Sequence, residues 1–373
     1  MSQKQITVLM PDTEGELGIK VLRCLAEASN LKIYCLSREA WNSARLSRHH
    51  AGFFSHKVDT FDEQRLEVIF DHVRRLKPDV LLPVDQPTIR LLSKHRDAFH
   101  GIAALPPLPP LSGMDIAENK WLLTNVMEKE AIPYPRTLHA NNRDWSTIDP
   151  SKLAYPVLTK PVTGAGGTGI EIFNSAKELE MYLKAYQQSD DLVIQSFIPG
   201  IDLGCSVLCE NGVIKAYTIQ KGLRPGNKRF EPPSVVEFLH SEQIFHNAEK
   251  LMRALNWSGV ANIDHRYNEE TGEASILEIN PRFWGSVLAS VVAGINFPEL
   301  MIHAAMGMEI PPQTYQAIRY AKPEQTPKLL ARKYFKGDKT IRSISESGLP
   351  YTLKDPGPEF IKYVNKFLER FYE

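Results

Sequence analysis

Three stretches of the sequence concentrate side chains whose type and spacing could do chemistry. The first is Ile276-Leu277-Glu278-Ile279-Asn280-Pro281-Arg282. Read as a strand ending at Asn280, it puts Glu278 and Asn280 on one face and Leu277 and Ile279 on the other, because successive side chains alternate. A carboxylate beside an amide oxygen is costly to bury without a partner. A hard divalent cation is the partner that suits two oxygen donors. Arg282 continues the same face if the chain stays extended past Pro281. Carboxylate, amide and guanidinium in one row point to a metal-bound phosphate.

The second stretch is Gly259 to Tyr267, a further strand, joined to the first through the polar segment Asn268 to Glu273 with the glycine of a hairpin loop. A hairpin centred on Thr271 sets Asp264 opposite Glu278 and Asn262 opposite Asn280. Cross-strand partners share a face, so Asp264 joins the acidic row. A slip of one residue would turn it away, and a solvated surface hairpin would carry the same residues.

The third stretch is the strand Tyr155 to Pro161, ending in Lys160, followed by Gly164-Ala165-Gly166-Gly167-Thr168-Gly169. Backbone N–H groups of such a loop can approach phosphate oxygens without obstruction from Cβ. No Gly-Lys-Ser/Thr follows and no helix starts there, which excludes a Walker A loop. A hairpin closing over phosphates fits, as does a plain glycine-rich hairpin. A basic loop holding Lys221, Arg224, Lys228 and Arg229 is either a solvated face or a binding place for carboxylate and phosphate.

These stretches need elements to hold them. The chain opens β-α-β, with a strand at Ile6–Met10, helical spacing of Leu17, Val21, Leu22 and Leu25, and a strand at Leu31–Leu36. This predicts parallel strands with a right-handed crossover. The first turn, Pro11-Asp12-Thr13-Glu14-Gly15, lacks the dinucleotide fingerprint, which argues against a nicotinamide oxidoreductase. A helix at Phe61–Leu76, a strand at Val80–Val84 and a helix at Pro87–Ala98 follow. Asp85 stands where open α/β sheets bind ligands, or as a helix cap. The proline-rich Ala104–Leu111 marks a domain boundary. Ser112 then caps a helix to about Glu130 that contains Lys120, and Ser175 opens another to about Gln187. Leu192–Gly200, Ile201–Leu208 and Val213–Gln220 read as antiparallel strands. Helices follow at His240–Leu255 and from Val287, and the tail ends in an amphipathic helix at about Pro358–Tyr372.

Bulk properties narrow the field. The 373 residues carry 44 basic and 44 acidic side chains, with 43% hydrophobic. That length suggests two or three domains. Zero net charge argues against a general nucleic-acid or membrane-surface binder. Cys24, Cys35, Cys205 and Cys209 form no C-x-x-C pair and read as reduced core thiols. There is no signal-peptide pattern, and the longest apolar run, Val287 to Ile295, is too short to span a bilayer. A cytoplasmic location is expected.

The order of helix lysine, strand lysine, glycine-rich hairpin, a strand running into an Ile-Pro-Gly turn, then Asp…Glu-x-Asn-x-Arg resembles the ATP-grasp superfamily. The likeness is nearest to its carbamoyl-phosphate-synthase-like and amino-acid-ligase branches and covers about Ile6 to Gly307. It implies an α/β and α+β multidomain fold: a Rossmann-like pre-ATP-grasp domain (1–111), a two-subdomain ATP-grasp domain (112–310, lid about 125–195, core about 196–310) and a C-terminal extension (311–373). It also implies roles. Lys120 and Lys160 would contact ATP phosphates, and the loop Gly164, Ala165, Gly166, Gly167, Thr168 and Gly169 would close over them. Gln195 would face the adenine amino group, where many members carry Glu. The backbone of Ser196, Phe197 and Ile198 would read the adenine edge, and Asp202 would bind ribose. Asp264, Glu278 and Asn280 would hold one or two Mg²⁺ ions, with Mn²⁺ as a substitute. Arg282 would stabilise the transferred phosphoryl group, and Lys221 and Arg224 would hold the substrate carboxylate or intermediate. The implied reaction is ADP-forming carboxylate–amine ligation through an acyl-phosphate, on small-molecule substrates, in a chain able to pair as a homodimer. Bicarbonate as the acid, and ATP binding without turnover, are the alternatives.

Overall fold

In the computed structural model the described residues are 5–140, 148–164, 168–186, 191–224, 233–361 and 364. Strands β1 (Ile6–Met10), β2 (Leu31–Ser37), β3 (Gly52–Ser55) and β4 (Val80–Leu81) form a parallel sheet in the order β3-β2-β1-β4. Helix α1 (Gly15–Leu25) connects β1 to β2, α2 (Glu63–Leu76) connects β3 to β4, and α3 (Gln86–Lys94) follows β4. Val8, Leu9 and Met10 are all fully buried, as a parallel strand covered on both faces requires. Strand order reverses at β1, which is where open α/β sheets form a ligand crevice beyond the strand ends. There the Asp12 carboxylate accepts from the backbone N–H groups of Val84 (2.9 Å) and Asp85 (2.8 Å). Asp85 in turn accepts from Gln86 N–H at 2.8 Å and caps α3.

The proline-rich connector leads into α4 (Leu111–Glu118) and α5 (Lys120–Lys129), two helices where the sequence suggested one. Asn119 breaks the run. Its backbone is extended and its side chain accepts from the N–H groups of Trp121 and Leu122, so it caps a new helix. Lys120 is thereby the first residue of α5 and not a mid-helix side chain.

Two antiparallel sheets follow. The smaller contains β5 (Thr137–Ala140), β6 (Val157–Pro161), β7 (Glu171–Phe173) and β8 (Leu192–Ser196) in the order β5-β8-β6-β7. Helix α6 (Ala176–Ala185) packs on it around a separate small core including Phe173, Leu179, Leu183 and Leu192. The larger contains β9 (Ile201–Glu210), β10 (Val213–Arg224), β11 (Val235–Leu239), β12 (Gly259–Asn268), β13 (Glu273–Asn280) and β14 (Arg319–Ala321), in the order β13-β12-β9-β10-β11-β14. Between β11 and β12 lies α7 (Glu242–Ala254); after β13 come α8 (Val287–Ala293) and α9 (Phe297–Ala305).

The two faces of the large sheet differ. One buries Cys205, Ile219, Ile263 and Ile276 against Leu251 and Met252 of α7 and Leu123 and Met127 of α5. The other packs only partly: Leu208, Val236, Phe238 and Val260 join Val8 and Met10 of the first sheet and Leu22 of α1. The remainder of that face is polar and looks toward the small sheet.

The chain beyond residue 310 contributes β14, which pairs with β11, then α10 (Thr326–Lys336) and α11 (Leu349–Lys354). The terminal helix expected at Pro358–Tyr372 falls largely outside the described residues. Among those described, no single helix is long and apolar enough to cross a membrane. All four cysteines are buried free thiols.

Candidate active site

The hairpin of β12 and β13 is in the expected register at its functional end. Asn262 lies opposite Asn280, and Asp264 opposite Glu278. The register then shifts, so that His265 faces Ile276 and Leu277 is left over. This is a β-bulge. It corrects the placing of Leu277 on one face with Ile279: Ile276 is fully buried in its place, and Leu277 is half-buried.

The row is tightly wired. Asp264 accepts from Asn262 Nδ2 on Oδ1 (2.7 Å) and from Asn280 Nδ2 on Oδ2 (3.0 Å). Ser206 Oγ donates to Asn262 Oδ1 at 2.9 Å, and Asn280 Nδ2 reaches Glu278 Oε1 at 3.5 Å. Burial, together with the charge of Glu278, holds the Asp264 carboxyl well above the usual range. Two carboxylates this close resist double ionisation unless a cation sits between them. Among the described residues no group of three or more His, Cys, Asp or Glu forms a denser cation cage. Two carboxylates and an amide are the sparse oxygen set that Mg²⁺ accepts when phosphates and water complete its shell.

Both lysines point into the same space from the other side. Lys120 N–H donates to Val162 O (2.9 Å) and its Nζ to Gly164 O (2.8 Å), which pins the start of α5 to the glycine loop. Lys160, at the end of β6, is buried, and its Nζ donates to Gln195 Oε1 at 2.9 Å. Burial lowers both lysine pKa values, while Glu278 opposes the shift at each and Asp264 also opposes it at Lys160. Among the described residues no ion pair closes the gap between these cations and the acidic row. The space between the sheets is thus bounded by positive charge on one side and negative charge on the other.

The loop itself is described at its ends. Gly164 and Gly169 have φ of +112° and +73°, the left-handed region that favours glycine. A Cβ on Gly169 would stand 2.8 Å from Pro161 Cγ. Thr168 is exposed. Ala165, Gly166 and Gly167 lie outside the described residues.

Gln195 is buried; its Oε1 accepts from Lys160 Nζ and its Nε2 donates to Thr137 Oγ1 at 3.0 Å, so the amide is oriented by both and ties Lys160 to β5. The connection to β9 is also partly used. The N–H groups of Ser196 and Phe197 bond to Arg136 O and Pro156 O, and Ile198 O accepts from Arg266 Nε at 3.0 Å. Asp202, at the exposed mouth, accepts from Arg266 Nη1 at 2.7 Å.

After Asn280 the chain does not stay extended. Arg282 N–H donates to Asn280 O at 2.9 Å, closing a tight turn at Pro281. The turn sends Arg282 toward the first sheet, where its Nε lies 3.5 Å from Asp85 Oδ1. Arg282 therefore stands at the reversal crevice, and Asp85 is both helix cap and arginine partner.

Lys221 and Arg224 are not brought to the row. Lys221 pairs with Leu203 in the sheet and lies on the opposite face from Asp264, with its Nζ 3.0 Å from Glu237 Oε2. Arg224 bonds Asp338 (3.0 Å) and Thr340 (2.8 Å) from the C-terminal segment. Strand alternation turns Lys221 away from the row, and a β-bulge between Gly222 and Arg224 turns Arg224 away, so neither is brought to the place expected of a substrate-holding group. Lys228 and Arg229 lie outside the described residues. The residue that does share the row is Gln220. It pairs with Gly204, which pairs with Asp264 on its other side. Gln220 is neutral and carries no charge signal in the sequence, and its parity relative to Asp264 follows only from the pairing of β9 with both β10 and β12.

Residues 117–286 match the family model of the ATP-grasp domain. Among curated proteins, a carbamoyl-phosphate synthase of Methanobrevibacter smithii is 26% identical over 164 residues, 42% of this chain and 44% of that protein. The carbamoyl phosphate synthase large chain of Archaeoglobus fulgidus is 26% identical over 211 residues, 54% of this chain and 19% of that protein. The match thus spans less than half the length of either relative. Among solved structures, an L-amino acid ligase from Bacillus licheniformis superposes with a TM-score of 0.60 at 19% identity, covering 83% of this chain and 78% of that one. The biotin carboxylase domain dimer of the Hydrogenobacter thermophilus 2-oxoglutarate carboxylase, in complex with MgADP, ADP and bicarbonate, superposes at 0.64 and 18% identity, covering 85% and 73%.

Proposed function

Residues 117–286 form an ATP-grasp domain, and on that premise we propose that the chain is an ATP-dependent ligase that joins a carboxylate to an amine through an acyl-phosphate, releasing ADP and phosphate. One observation carries the reading: Lys120 and Lys160 face Asp264 and Glu278 across the space between two sheets, with no ion pair between them among the described residues. Phosphoryl transfer needs positioning and charge neutralisation rather than covalent participation by the protein.

In this reading Lys120 and Lys160 receive the ATP phosphates, and the Gly164–Gly169 loop covers them and excludes water. Gln195 positions Lys160. The Ser196–Ile198 connection lies along the base, with Asp202 at the ribose. Asp264, Glu278 and the amide oxygen of Asn280 would hold Mg²⁺, which supplies charge neutralisation at the phosphates when bound. Arg282 meets the transferred phosphoryl group from the side of the first sheet, and Asp85 fixes its direction. Lys221 and Arg224 stay outside the site and tie β10 to β11 and the C-terminal segment. The pre-ATP-grasp boundary is proposed at the proline-rich connector and the end of the ATP-grasp domain at about residue 310.

A second reading, with bicarbonate as the acid, draws support from the carbamoyl-phosphate synthase relatives and the bicarbonate-bound structural neighbour. Phosphate release from MgATP, measured across pools of carboxylates with and without amines, separates the two. Release that requires both an organic carboxylate and an amine supports ligation. Release with bicarbonate alone selects the second reading. Absence of release with every pool, despite ATP binding, removes both.

A further inference from the structure

We infer that Gln220 holds the attacking amine of the second substrate, an assignment that rests on the ligase reading above. One row crosses the polar face of the large sheet: Glu278, Asp264, Gly204, Gln220 and then the buried Phe238. With strands about 4.8 Å apart, Gln220 stands about 10 Å from Asp264. Gly204 lies between them, and a Cβ there would meet Asn262 Oδ1 at 3.3 Å and Gln220 Nε2 at 3.7 Å, so the glycine lets two amides lean over the sheet between Asp264 and Gln220.

The Gln220 amide is held at one end only. Nε2 donates to Ser286 Oγ at 2.6 Å, in the loop that follows Arg282. Oε1 is buried and has no partner. A buried acceptor left unmade is destabilising, so a group that completes it is bound preferentially. What completes it must bring an N–H or O–H. The ATP phosphates and an ionised carboxylate offer acceptors only. The amine is the component of the proposed reaction that brings a donor to this end of the row.

The choice of amide also suits the chemistry. A carboxylate at this position would favour the protonated, non-nucleophilic ammonium. A neutral carbonyl oxygen orients an N–H while leaving the nitrogen lone pair available. That pair attacks the acyl carbon, the C–N bond forms, and the C–O bond to phosphate breaks. The bonding electrons leave with inorganic phosphate, and the nitrogen gives up a proton to solvent.

The test uses the full chain, the productive carboxylate–amine pair from the screen, and ammonium chloride as the minimal amine probe. Gln220→Leu should raise the KM for either amine about tenfold, the value of one hydrogen bond. The KM values for ATP and carboxylate should stay unchanged. Gln220→Glu keeps an acceptor, so its amine KM should stay near wild type while its rate optimum moves to higher pH. An amine KM within twofold of wild type in Gln220→Leu, with wild-type turnover established, overturns this inference alone. A raised carboxylate KM, worst in Gln220→Glu, would put the amide N–H₂ on the acid and also overturn it. A wild-type protein that turns over no such pair removes the ligase reading and this inference together.

Discussion

Two neighbouring rows of side chains cross the large sheet on opposite faces, and they treat charge in opposite ways. In one, Ile276, His265, Leu203, Lys221, Glu237 and Arg319 stand side by side. Its charges are closed: Glu237 accepts from Lys221 (3.0 Å) and from Arg319 (2.8 Å). Burial pushes His265 down to about 4 and so keeps it neutral, with Nδ1 against Ile263 O. In the other row Glu278 and Asp264 face each other with no ion pair to a basic side chain among the described residues, and Gln220 keeps a free acceptor. The row with more formal charge is the finished one. The unfinished row is the one built to receive ligands, because the protein supplies half of each interaction and leaves the rest. Charge alone drew attention to Lys221, while parity points to its neighbour.

The largest test of the contrast is to remove one member of each row. Glu278→Ala should lower turnover by about 10²–10³-fold or more, the scale of losing a preorganised electrostatic group. Lys221→Ala should leave kcat and KM within about twofold, as expected for a residue away from the chemistry. Steady-state kinetics on the two variants decides it, and a large loss in Lys221→Ala would break the contrast. A smaller effect is expected at the edge of the acidic row. Asp85→Asn keeps a cap for α3 but weakens the pull on Arg282. We expect kcat to fall about tenfold with the KM for ATP nearly unchanged, since one misdirected group costs about that much. A rise in ATP KM without a fall in kcat would take Arg282 out of the phosphoryl-transfer step.

The contrast also marks how far the sequence could be read. Hairpin length and loop composition place Asp264 close to Glu278, but the pairs next to the loop run one residue out of that register, and it is the bulge at Leu277 that brings the two carboxylates opposite each other. Lys160 and the glycine loop were legible outright, being contiguous. What escaped depended on contacts between distant segments or on a single side-chain hydrogen bond. Asn119 stops one helix and starts another through its amide, which periodicity does not register. The turn at Pro281 redirects Arg282 to Asp85, almost two hundred positions earlier, and only the packing of the first sheet on the large one makes that pair. Leu277 became the bulge residue although the alternating pattern alone placed it on one face with Ile279. Gln220 required the β12–β9–β10 order, a topological fact no local pattern carries.

The rows should also differ in how they respond to a lost charge when no divalent cation is supplied. Asp264 is held above its ordinary range by burial and Glu278, so the folded state keeps a proton that the unfolded chain releases. Stability from this group is present below the unfolded carboxylate value, about 4, and is lost as pH rises through the higher folded value. Asp264→Asn removes that penalty. It should raise the melting temperature at neutral pH by a few degrees, about 1 kcal/mol for a chain of this size. Added Mg²⁺ should stabilise the wild type and not the variant.

The smallest effect is expected in the finished row. Burial works to raise the Glu237 carboxyl, but hydrogen bonds and ion pairs with Arg319 and Lys221 outweigh it and hold it below its ordinary value. Its stability contribution is therefore present above the unfolded value and is lost as pH falls through the folded one, the reverse of Asp264. The pair with Lys221 is partly exposed, so Lys221→Ala should cost only about 0–1 kcal/mol. Thermal melts across the acid range should show that cost shrinking as Glu237 protonates, while the Asp264→Asn gain grows with rising pH. Parallel pH dependences in the two variants would mean that the rows are not electrostatically distinct. The assignment of one to ligands and the other to the scaffold would then fall.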